Sequence, residues 1–513
     1  MTELESVSRA DPPPAPNAVS GHLRGSSLLL GGRLLALVLE FAAHVVVVRH
    51  LTKGEYGDFS YALAVASLLS TVVVIGLPET LARYIPIFQE QRERSRLIGS
   101  VVFAVGLVVA GGLACVAVAV GGHGLVGRLL DSDDAATLLM ILILLVPTDG
   151  VNLLLQSIFA SLGRVRTIFV RQYVLVPVMR LGVALALVTG NLGPAFLAAG
   201  WVATSVAGLL LYGYLGSRML TRLRAGGWRR LEVPARELVT FALPVFLTNV
   251  FWIVLLAFST IMLGLMTTPA EVAAFQAVQP PARLNYLAMA IFSILFMPTV
   301  ARLYARGRSE ELRETYLATT LWIVVLTFPV LALTTVFAPV FVPAFFGESY
   351  ESSTAILVLM AAGYYLHTSS GPNSATLKVF RQLRYTVVID IGALIGGVVL
   401  NLILIPLDGA RGAALAFLLA LIGRNAPYVW ALRRVAGITL ISRDWLAVQA
   451  VVVGALLALA AVQVTVSPPL WLAVVLCGIA SIGVLLGCRR RLRLADTFPE
   501  LFGGRLGAAL RLR

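Results

Sequence analysis

The stretch FSYALAVASLLSTVVVIGLPETLARYIPIFQEQRER, residues 59–94, contains the pattern that decides the fold. Its first 20 residues carry no charge, and a run of charged residues closes it. An uncharged run of about 20 residues crosses a hydrocarbon core of ~30 Å as an α-helix, and the charges mark the membrane surface. Such apolar stretches, 18 to 30 residues long, recur about fourteen times along the 513 residues. The sequence therefore predicts an all-α, polytopic membrane protein with about 14 transmembrane helices.

The composition leaves little room for a soluble domain. The chain is 58% hydrophobic and only 13% charged, whereas about a quarter of the residues in soluble domains are charged. Its mean hydropathy is +0.89. Because no predicted loop is long enough for a folded catalytic domain, we expect a protein that is not an enzyme. The three cysteines have no metal-ligand or CxxC spacing, so we expect no metal and no cofactor.

The basic residues lie almost entirely on one side of the predicted membrane. Of the 40 Lys and Arg residues, 32 fall in one alternating set of connections and four in the other. Lys and Arg accumulate in cytoplasmic loops, so we predict an even helix count, cytoplasmic termini and a location in the cell (cytoplasmic or inner) membrane. The net charge of +14 then reflects topology and attraction to anionic membrane lipids, and we expect no nucleic-acid partner.

Similar motifs recur on both sides of a basic segment near the middle of the chain. PETLARY at 78–84 and PTVARLY at 298–304 each end an apolar stretch and precede a charged run. Six helices separate the two copies, so both halves have the same orientation, as in transporters built from parallel repeats. We predict two six-helix bundles and two extra C-terminal helices. The predicted segments are the N-terminal tail 1–25, the first bundle 26–217, the basic linker 218–237, the second bundle 238–431, the extra helices 444–487 and the basic tail 488–513.

Ionisable residues inside the apolar stretches are the candidate functional residues. A charge in lipid is costly, so such a residue normally faces a cavity or a partner. Arg33, Glu40 and His44 share one helix face, because positions +7 and +11 fall within about 20° of the first residue. Three polar groups on one line favour cavity lining over incidental packing.

A second polar stripe lies in the eighth predicted helix. Gln276, Gln279 and Arg283 share one face, and Pro280-Pro281 is expected to interrupt the helix between them. Interrupted helices inside a membrane are tolerated where they line a cavity. We therefore predict that both stripes line one central cavity. The remaining predicted substrate-binding residues are Arg180, Arg424, Asn249, Trp252 and Tyr286.

The charge of this cavity favours an anionic substrate. Arginine outnumbers carboxylate among the candidates, and the guanidinium fork matches phosphate or carboxylate oxygens. Aromatic residues such as Trp252 and Tyr286 are candidates for stacking on sugar rings. Because histidine titrates near neutral pH, we also consider proton or ion coupling on this helix face. The ion-coupling candidates are Glu40, His44 and Asp149.

Structural explanations remain open for several of these residues. Arg424 precedes a proline and is a candidate for pairing with a backbone carbonyl. Asp149 and Arg180 are candidates for an ion pair between adjacent helices. Asp390 lies near the end of its predicted helix, where we expect it to be interfacial.

Four segments resemble the multidrug/oligosaccharidyl-lipid/polysaccharide (MOP) flippase superfamily, in its polysaccharide-transporter (Wzx-like) branch. They are RHLTKGEYGDF at 49–59, GLPETLAR at 76–83, the segment 298–308 and FGESY at 346–350. The resemblance covers roughly residues 25–490. It implies a MATE-like fold with a V-shaped cavity, alternating access and a cationic cavity wall to which Arg33 and Arg283 would contribute.

Members of that branch move polyprenyl-diphosphate-linked oligosaccharides from the cytoplasmic to the outer leaflet. The resemblance therefore predicts a monomeric flippase for surface polysaccharide biosynthesis, with an undecaprenyl-diphosphate type of lipid-linked oligosaccharide as substrate. A polysaccharide polymerase and glycosyltransferases are candidate partners. One alternative is a cation-coupled multidrug exporter of the same fold, which would need carboxylates in its cavity. Another is a non-transporting scaffold of a glycan-synthesis complex, which would tolerate glutamine in place of the buried arginines.

Overall fold

The computed structural model describes residues 16–122, 133–224 and 232–492, and within these ranges every regular element is a helix. The helices of the first two ranges are α1 (Pro16–His50), α2 (Lys53–Val74), α3 (Leu77–Glu90), α4 (Arg94–Gly121), α5 (Asp133–Leu142), α6 (Leu145–Ser161), α7 (Val165–Ile168), α8 (Val176–Thr189) and α9 (Pro194–Arg224). A π-helical segment, Phe169–Leu175, joins α7 to α8.

The third range contains ten further α-helices and two short 3₁₀ turns, Leu284–Tyr286 and Glu348–Tyr350. The α-helices are α10 (Ala235–Met266), α11 (Pro269–Arg283), α12 (Leu287–Ala305), α13 (Ser309–Thr335), α14 (Ala338–Phe346), α15 (Ser353–Ser369), α16 (Asn373–Val379), α17 (Leu383–Ala436), α18 (Arg443–Val466) and α19 (Leu470–Gly487).

Local sequence explains where α2 begins and ends. Thr52 caps its first turn, and its hydroxyl accepts from the Glu55 amide while the Glu55 carboxylate accepts from the Thr52 amide. The helix ends where Ile75 and Gly76 both adopt positive φ values, 45° and 67°. A Cβ atom at Gly76 would also lie 2.6 Å from the carbonyl oxygen of Ala242, so this bend needs glycine. The α2–α3 pair is thus a single bent span.

Ten helices in the described ranges are long and apolar enough to cross a membrane, or eleven if one bent pair of helices counts as a single span. This count treats α17 as one helix of 54 residues, although Asp408 and Gly409 leave helical geometry and divide it into two antiparallel arms. The prediction of an all-α, polytopic membrane protein is confirmed. The count of fourteen and the predicted segment boundaries stay predictions.

The two ends of the bundle differ in their turns. The end that we call the basic face carries the turns after α3, α12 and α17, with arginines in or directly beside each of them. There, Arg96 pairs with Glu237 at 2.8 Å, and the Arg313 guanidinium donates to the backbone carbonyl of Gly437. The opposite face carries the turns after α1, α10 and α14.

At the opposite face, helices from the two predicted bundles meet backbone to backbone. The α2–α11 contact depends on Gly57, because a Cβ atom there would lie 1.9 Å from the carbonyl oxygen of Pro269. Large buried side chains such as Phe59 and Phe275 belong to one continuous apolar cluster across this contact. We call it the seam. Its residues are Phe41, His44, Arg49 and Gly57 from α1 and α2, and Pro269, Ala277, Phe341 and Phe345 from α11 and α14.

Candidate functional site

A hydrogen bond between α1 and α11 marks the inner edge of the seam. His44 Nε2 lies 2.8 Å from the carbonyl oxygen of Ala277. A carbonyl only accepts, so Nε2 carries the proton and donates. Inside a helix this carbonyl would bond the amide four residues later, but that residue is Pro281, which has no N–H. His44 therefore supplies the donor that the proline lacks.

The expected helix break at Pro280-Pro281 is wrong by about one turn. Helix α11 continues through both prolines to Arg283, and the geometry changes only in the following 3₁₀ turn. A proline fits the helical φ angle but has no backbone N–H to donate. The two prolines therefore leave two helical hydrogen bonds missing, and His44 replaces the one to the Ala277 carbonyl. In the 3₁₀ turn, Asn285 Nδ2 donates to the Ala282 carbonyl oxygen at 3.1 Å and to Thr334 Oγ1 at 3.0 Å, which holds the turn against α13.

Along α1, the side chains of the polar stripe become more exposed with distance from the seam. Val47 is buried, His44 is half-buried and Glu40 is exposed. This exposure is not on the lipid side of the helix, because the exposed apolar residues Leu35 and Val38 lie about 140° and 160° away around the axis. Glu40 thus faces a space between helices.

The side chains of the stripe on α11 also become more exposed with distance from the seam. Val272 is buried, Gln276 and Gln279 are half-buried, and Arg283 is exposed. Gln276 Nε2 donates to Thr260 Oγ1 at 2.6 Å, so its amide is engaged within the protein. We call the space between the two stripes the central cavity. The residues that we expect to line it are Arg33, Glu40, Gln279, Arg283 and Tyr286.

Three of the four predicted arginines converge on one tyrosine. The phenol of Tyr286 lies within electrostatic range of the guanidinium groups of Arg424, Arg283 and Arg33. Its ring stacks on His367, with 5.8 Å between centroids and 17° between planes. Arg33 comes from the first predicted bundle and the others come from the second. Arg33 and Arg283 thus lie near one residue, while the prediction that the two stripes line one cavity and bind substrate stays a prediction.

Arg33 and Arg283 lie at similar depth. Arg33 is 17 residues from the end of α1 and Arg283 is 14 residues from the start of α11, or about 25 and 21 Å from the opposite face at 1.5 Å per residue. Among the described residues, neither guanidinium has a hydrogen-bond or ion-pair partner. Two arginines without a described hydrogen-bond or ion-pair partner therefore lie at one level.

Arg424 differs from these two arginines. Its Nε lies 2.9 Å from Asp390 Oδ1, and the two side chains are only 5% and 4% exposed. Tyr428 donates a further hydrogen bond to the same oxygen at 3.0 Å. Asp390 is buried beside the partner that neutralises it, while the expectation that it lies at the depth of the membrane interface stays a prediction. The bond that the structure shows for Arg424 is therefore to a carboxylate.

Arg180 and Asp149 do not form the ion pair considered above. Asp149 accepts instead from the hydroxyl of Ser205. Arg180 is half-buried with its guanidinium 5.4 Å from the Trp201 ring centroid, and its Nε has no hydrogen-bond partner among the described residues. No described contact connects Arg180 to the Tyr286 cluster, so its substrate role stays a prediction.

Two predicted site residues, Asn249 and Trp252, lie on α10, but their side chains are outside the part of the chain that the structure describes. The described ranges contain no group of three or more His, Cys, Asp or Glu side chains that could hold a metal ion. Sequence reasoning noted Asp390 and Arg424 separately and missed their pairing.

The family model for polysaccharide biosynthesis proteins matches residues 22–304, more than half of the chain. The chain belongs to this family. Its predicted membership of the MOP flippase superfamily is confirmed, and it is a multi-pass membrane protein of a transporter family. None of the curated proteins matches the chain.

Solved structures show the same fold. The lipid II flippase MurJ, in an inward closed conformation, matches with a TM-score of 0.70 and 12% identity over 93% of this chain and 99% of that chain. An inward-facing MATE family transporter matches with 0.60 and 13% over 79% and 96%. A MOP superfamily transporter from Pyrococcus furiosus matches with 0.57 and 14% over 82% and 96%. At these identities the likeness concerns the fold alone.

Proposed function

We propose that this protein is a flippase that moves a polyprenyl-diphosphate-linked oligosaccharide from the leaflet at the basic face to the opposite leaflet. The Lys and Arg bias supports a cytoplasmic basic face and a location in the cell membrane. The substrate would be of the undecaprenyl-diphosphate type and would serve surface polysaccharide biosynthesis. Arg33 and Arg283 would hold the diphosphate while the lipid tail stays in the bilayer.

One observation carries this proposal: Arg33 and Arg283, from different predicted bundles, lie within electrostatic range of Tyr286, and neither has an acidic partner among the described residues. Uncompensated guanidinium groups inside a membrane protein are costly, which makes an anionic ligand the natural counter-charge. A guanidinium pairs with phosphate through two parallel hydrogen bonds, so two of them suit a diphosphate. A cationic drug would meet repulsion at the same place.

The seam supports alternating access. We propose that it closes the cavity toward the opposite face and that a polar head group enters from the basic side in this conformation. Delivery to the other leaflet requires the seam to open and the helices at the basic face to approach each other. The proposed cycle exchanges these two arrangements, with the diphosphate held at the level of Arg33 and Arg283.

The test is flipping of a fluorescent undecaprenyl-diphosphate oligosaccharide in proteoliposomes. We expect wild-type protein to flip it and Arg33→Gln/Arg283→Gln to lose at least tenfold in rate, because a hydrogen bond to a charged group contributes about 1.5–3 kcal/mol. The matched control is Arg302→Gln/Arg306→Gln, which removes two exposed arginines outside the cavity. Wild-type export of cationic dyes without lipid flipping would instead establish the drug-exporter alternative.

A further inference from the structure

We infer that Asp390 is a positioning residue: by neutralising Arg424 it removes this arginine from the substrate site and fixes the stacked Tyr286–His367 pair at the cavity wall. This inference rests on the proposed function and refines it. The diphosphate would then be held by Arg33 and Arg283, without a direct contribution from the third arginine near Tyr286.

The first step is that the buried Asp390–Arg424 ion pair is well satisfied by hydrogen bonds and contacts within the protein. Asp390 Oδ1 accepts from Arg424 Nε at 2.9 Å and from the Tyr428 hydroxyl at 3.0 Å. The Tyr428 ring also lies under the guanidinium, with 4.9 Å between Arg424 Cζ and the ring centroid. Separating the two ions would leave a carboxylate uncompensated in a dry environment, which is strongly unfavourable. Arg424 is therefore committed to Asp390 and not available to a passing anion.

The second step connects this pair to the cavity. Asn425, the neighbour of Arg424, accepts at its Oδ1 from His367 Nδ1 at 3.0 Å and from Asn373 Nδ2 at 3.2 Å. Its own amide nitrogen donates to the Leu421 carbonyl oxygen at 2.7 Å. An amide oxygen only accepts, so His367 carries its proton on Nδ1 in this contact. The imidazole is thus held at one nitrogen while its face stacks on Tyr286.

The third step is the contrast among the arginines around Tyr286. Arg424 is buried and paired, whereas Arg283 is exposed and Arg33 is half-buried, and neither of these two has a partner among the described residues. The Arg424–Asp390 pair therefore supports the structure of the site, whereas Arg33 and Arg283 supply the charge for the substrate. Arg424 transmits its effect through Asn425 and His367.

Charge-conserving variants separate positioning from direct binding. Lysine keeps the charge of arginine but lacks the planar fork that matches phosphate. In the proteoliposome assay we expect Arg283→Lys to raise the apparent KM at least fivefold. Arg424→Lys, which can still neutralise Asp390, should change KM less than twofold. A KM for Arg424→Lys that rises as much as that of Arg283→Lys would overturn the inference.

A double variant provides the second measurement. Asp390→Asn and Arg424→Gln each leave one buried charge unpaired, so each should lower the unfolding temperature and the maximal transport rate. Asp390→Asn/Arg424→Gln removes both charges and should recover stability, with KM within threefold of wild type. A stable double variant whose KM rises tenfold would show that Arg424 binds substrate. Failure of the wild-type protein to flip the lipid would instead overturn the proposed function.

Discussion

Helices α1 and α11 contact each other in two different ways, at the seam and across the central cavity. At the seam, His44 bonds the Ala277 carbonyl at 2.8 Å within an apolar surrounding. About one turn from His44 along α1, Glu40 is exposed, and nearly two turns from Ala277 along α11, Arg283 is exposed. The difference lies in side-chain type: small and aromatic residues allow the helices to exclude water, whereas charged residues keep a space between them. One helix pair thus provides both a seal and a binding cavity.

Aromatic packing reinforces the seal. The ring centroids of Phe41 and Phe345 lie 5.3 Å apart in an edge-to-face arrangement, and those of Phe341 and Phe345 lie 4.6 Å apart. Arg49 closes the outer end by donating to the carbonyl oxygens of Ala344 and Phe345 at 2.6 and 2.8 Å. These contacts must break and reform in each cycle, so variants at the seam and at the cavity should have different consequences.

The largest effect is expected from Gly57→Ala. The added Cβ would lie 1.9 Å from the Pro269 carbonyl oxygen, so the backbones of α2 and α11 must separate. Overpacking of this kind costs about 1–3 kcal/mol or more, which should lower the unfolding temperature and open the seam. Reaction of a water-soluble thiol reagent with a cysteine placed at the buried position Ala43 reports the opening.

Gly54→Ala is the matched control on the same helix. Nothing lies within 4 Å of a Cβ atom at Gly54. Both substitutions replace glycine with alanine within the first turns of α2, and only the one at Gly57 brings a Cβ atom against Pro269. Equal unfolding temperatures and equal labelling of the two variants would show that α2 and α11 do not approach as closely as described.

At the cavity, Arg283→Gln should reduce transport without reducing stability. The loss of a charge-assisted hydrogen bond to the substrate costs about 1.5–3 kcal/mol, or more than tenfold in rate. Arg283 has no partner among the described residues, so its removal should change the free energy of unfolding by less than about 0.5 kcal/mol. Arg49→Gln at the seam should show the converse, with stability lowered and substrate KM unchanged. If Arg283→Gln and Arg49→Gln had the same effects on stability and on substrate KM, the distinction between the cavity and the seam would be contradicted.

The hydrogen bond from His44 to the Ala277 carbonyl, which Pro281 leaves without a helical donor, predicts a smaller effect on stability than that of Gly57→Ala. His44→Phe preserves edge contacts with neighbouring rings but removes the donor, which should cost about 1–3 kcal/mol for an unsatisfied buried carbonyl. Pro281→Ala restores the backbone N–H that Ala277 would otherwise use. In that background His44→Phe should therefore cost much less, as measured by thermal unfolding of all four proteins. Equal costs in both backgrounds would contradict the proposed compensation.

The sequence predicts the fold class and the stripe geometry well because both follow from local rules. Uncharged runs of the right length and alternating arginines specify membrane helices, and a period of 100° per residue places Glu40 beside His44. Helix interruption is harder, since Pro281 disfavours the helix only if nothing replaces its hydrogen bond. The compensating donor, His44, is 237 residues away in sequence, so no local rule reveals it.

The sequence contains a pattern that predicts the buried Asp390–Arg424 ion pair, provided that the position of the turn in α17 is known. Asp390 and Arg424 lie 18 and 16 residues from Asp408, where α17 reverses direction. In an antiparallel helical hairpin, residues at similar distances from the turn lie at similar depth. Placing the turn at Asp408-Gly409 therefore predicts the pair, whereas considering each charge alone does not connect Asp390 with Arg424.

The smallest expected effect distinguishes two roles for Glu40. It is exposed in the cavity, seven residues or about 10 Å along α1 from Arg33, where two charges in water interact by roughly 0.4 kcal/mol. If Glu40 only tempers the positive field, Glu40→Gln should lower the substrate KM about twofold at low salt. This gain should fade at high salt because the Debye length is about 10 Å at 0.1 M.

Glu348→Gln, which removes an exposed carboxylate beyond the seam, should leave KM unchanged and serves as the control. A Glu40→Gln variant that stops transport altogether would instead identify this carboxylate as an ion-coupling group. The cavity would then differ from the seam in two respects, because it would hold the substrate anion and also the titrating group that drives exchange between the two arrangements.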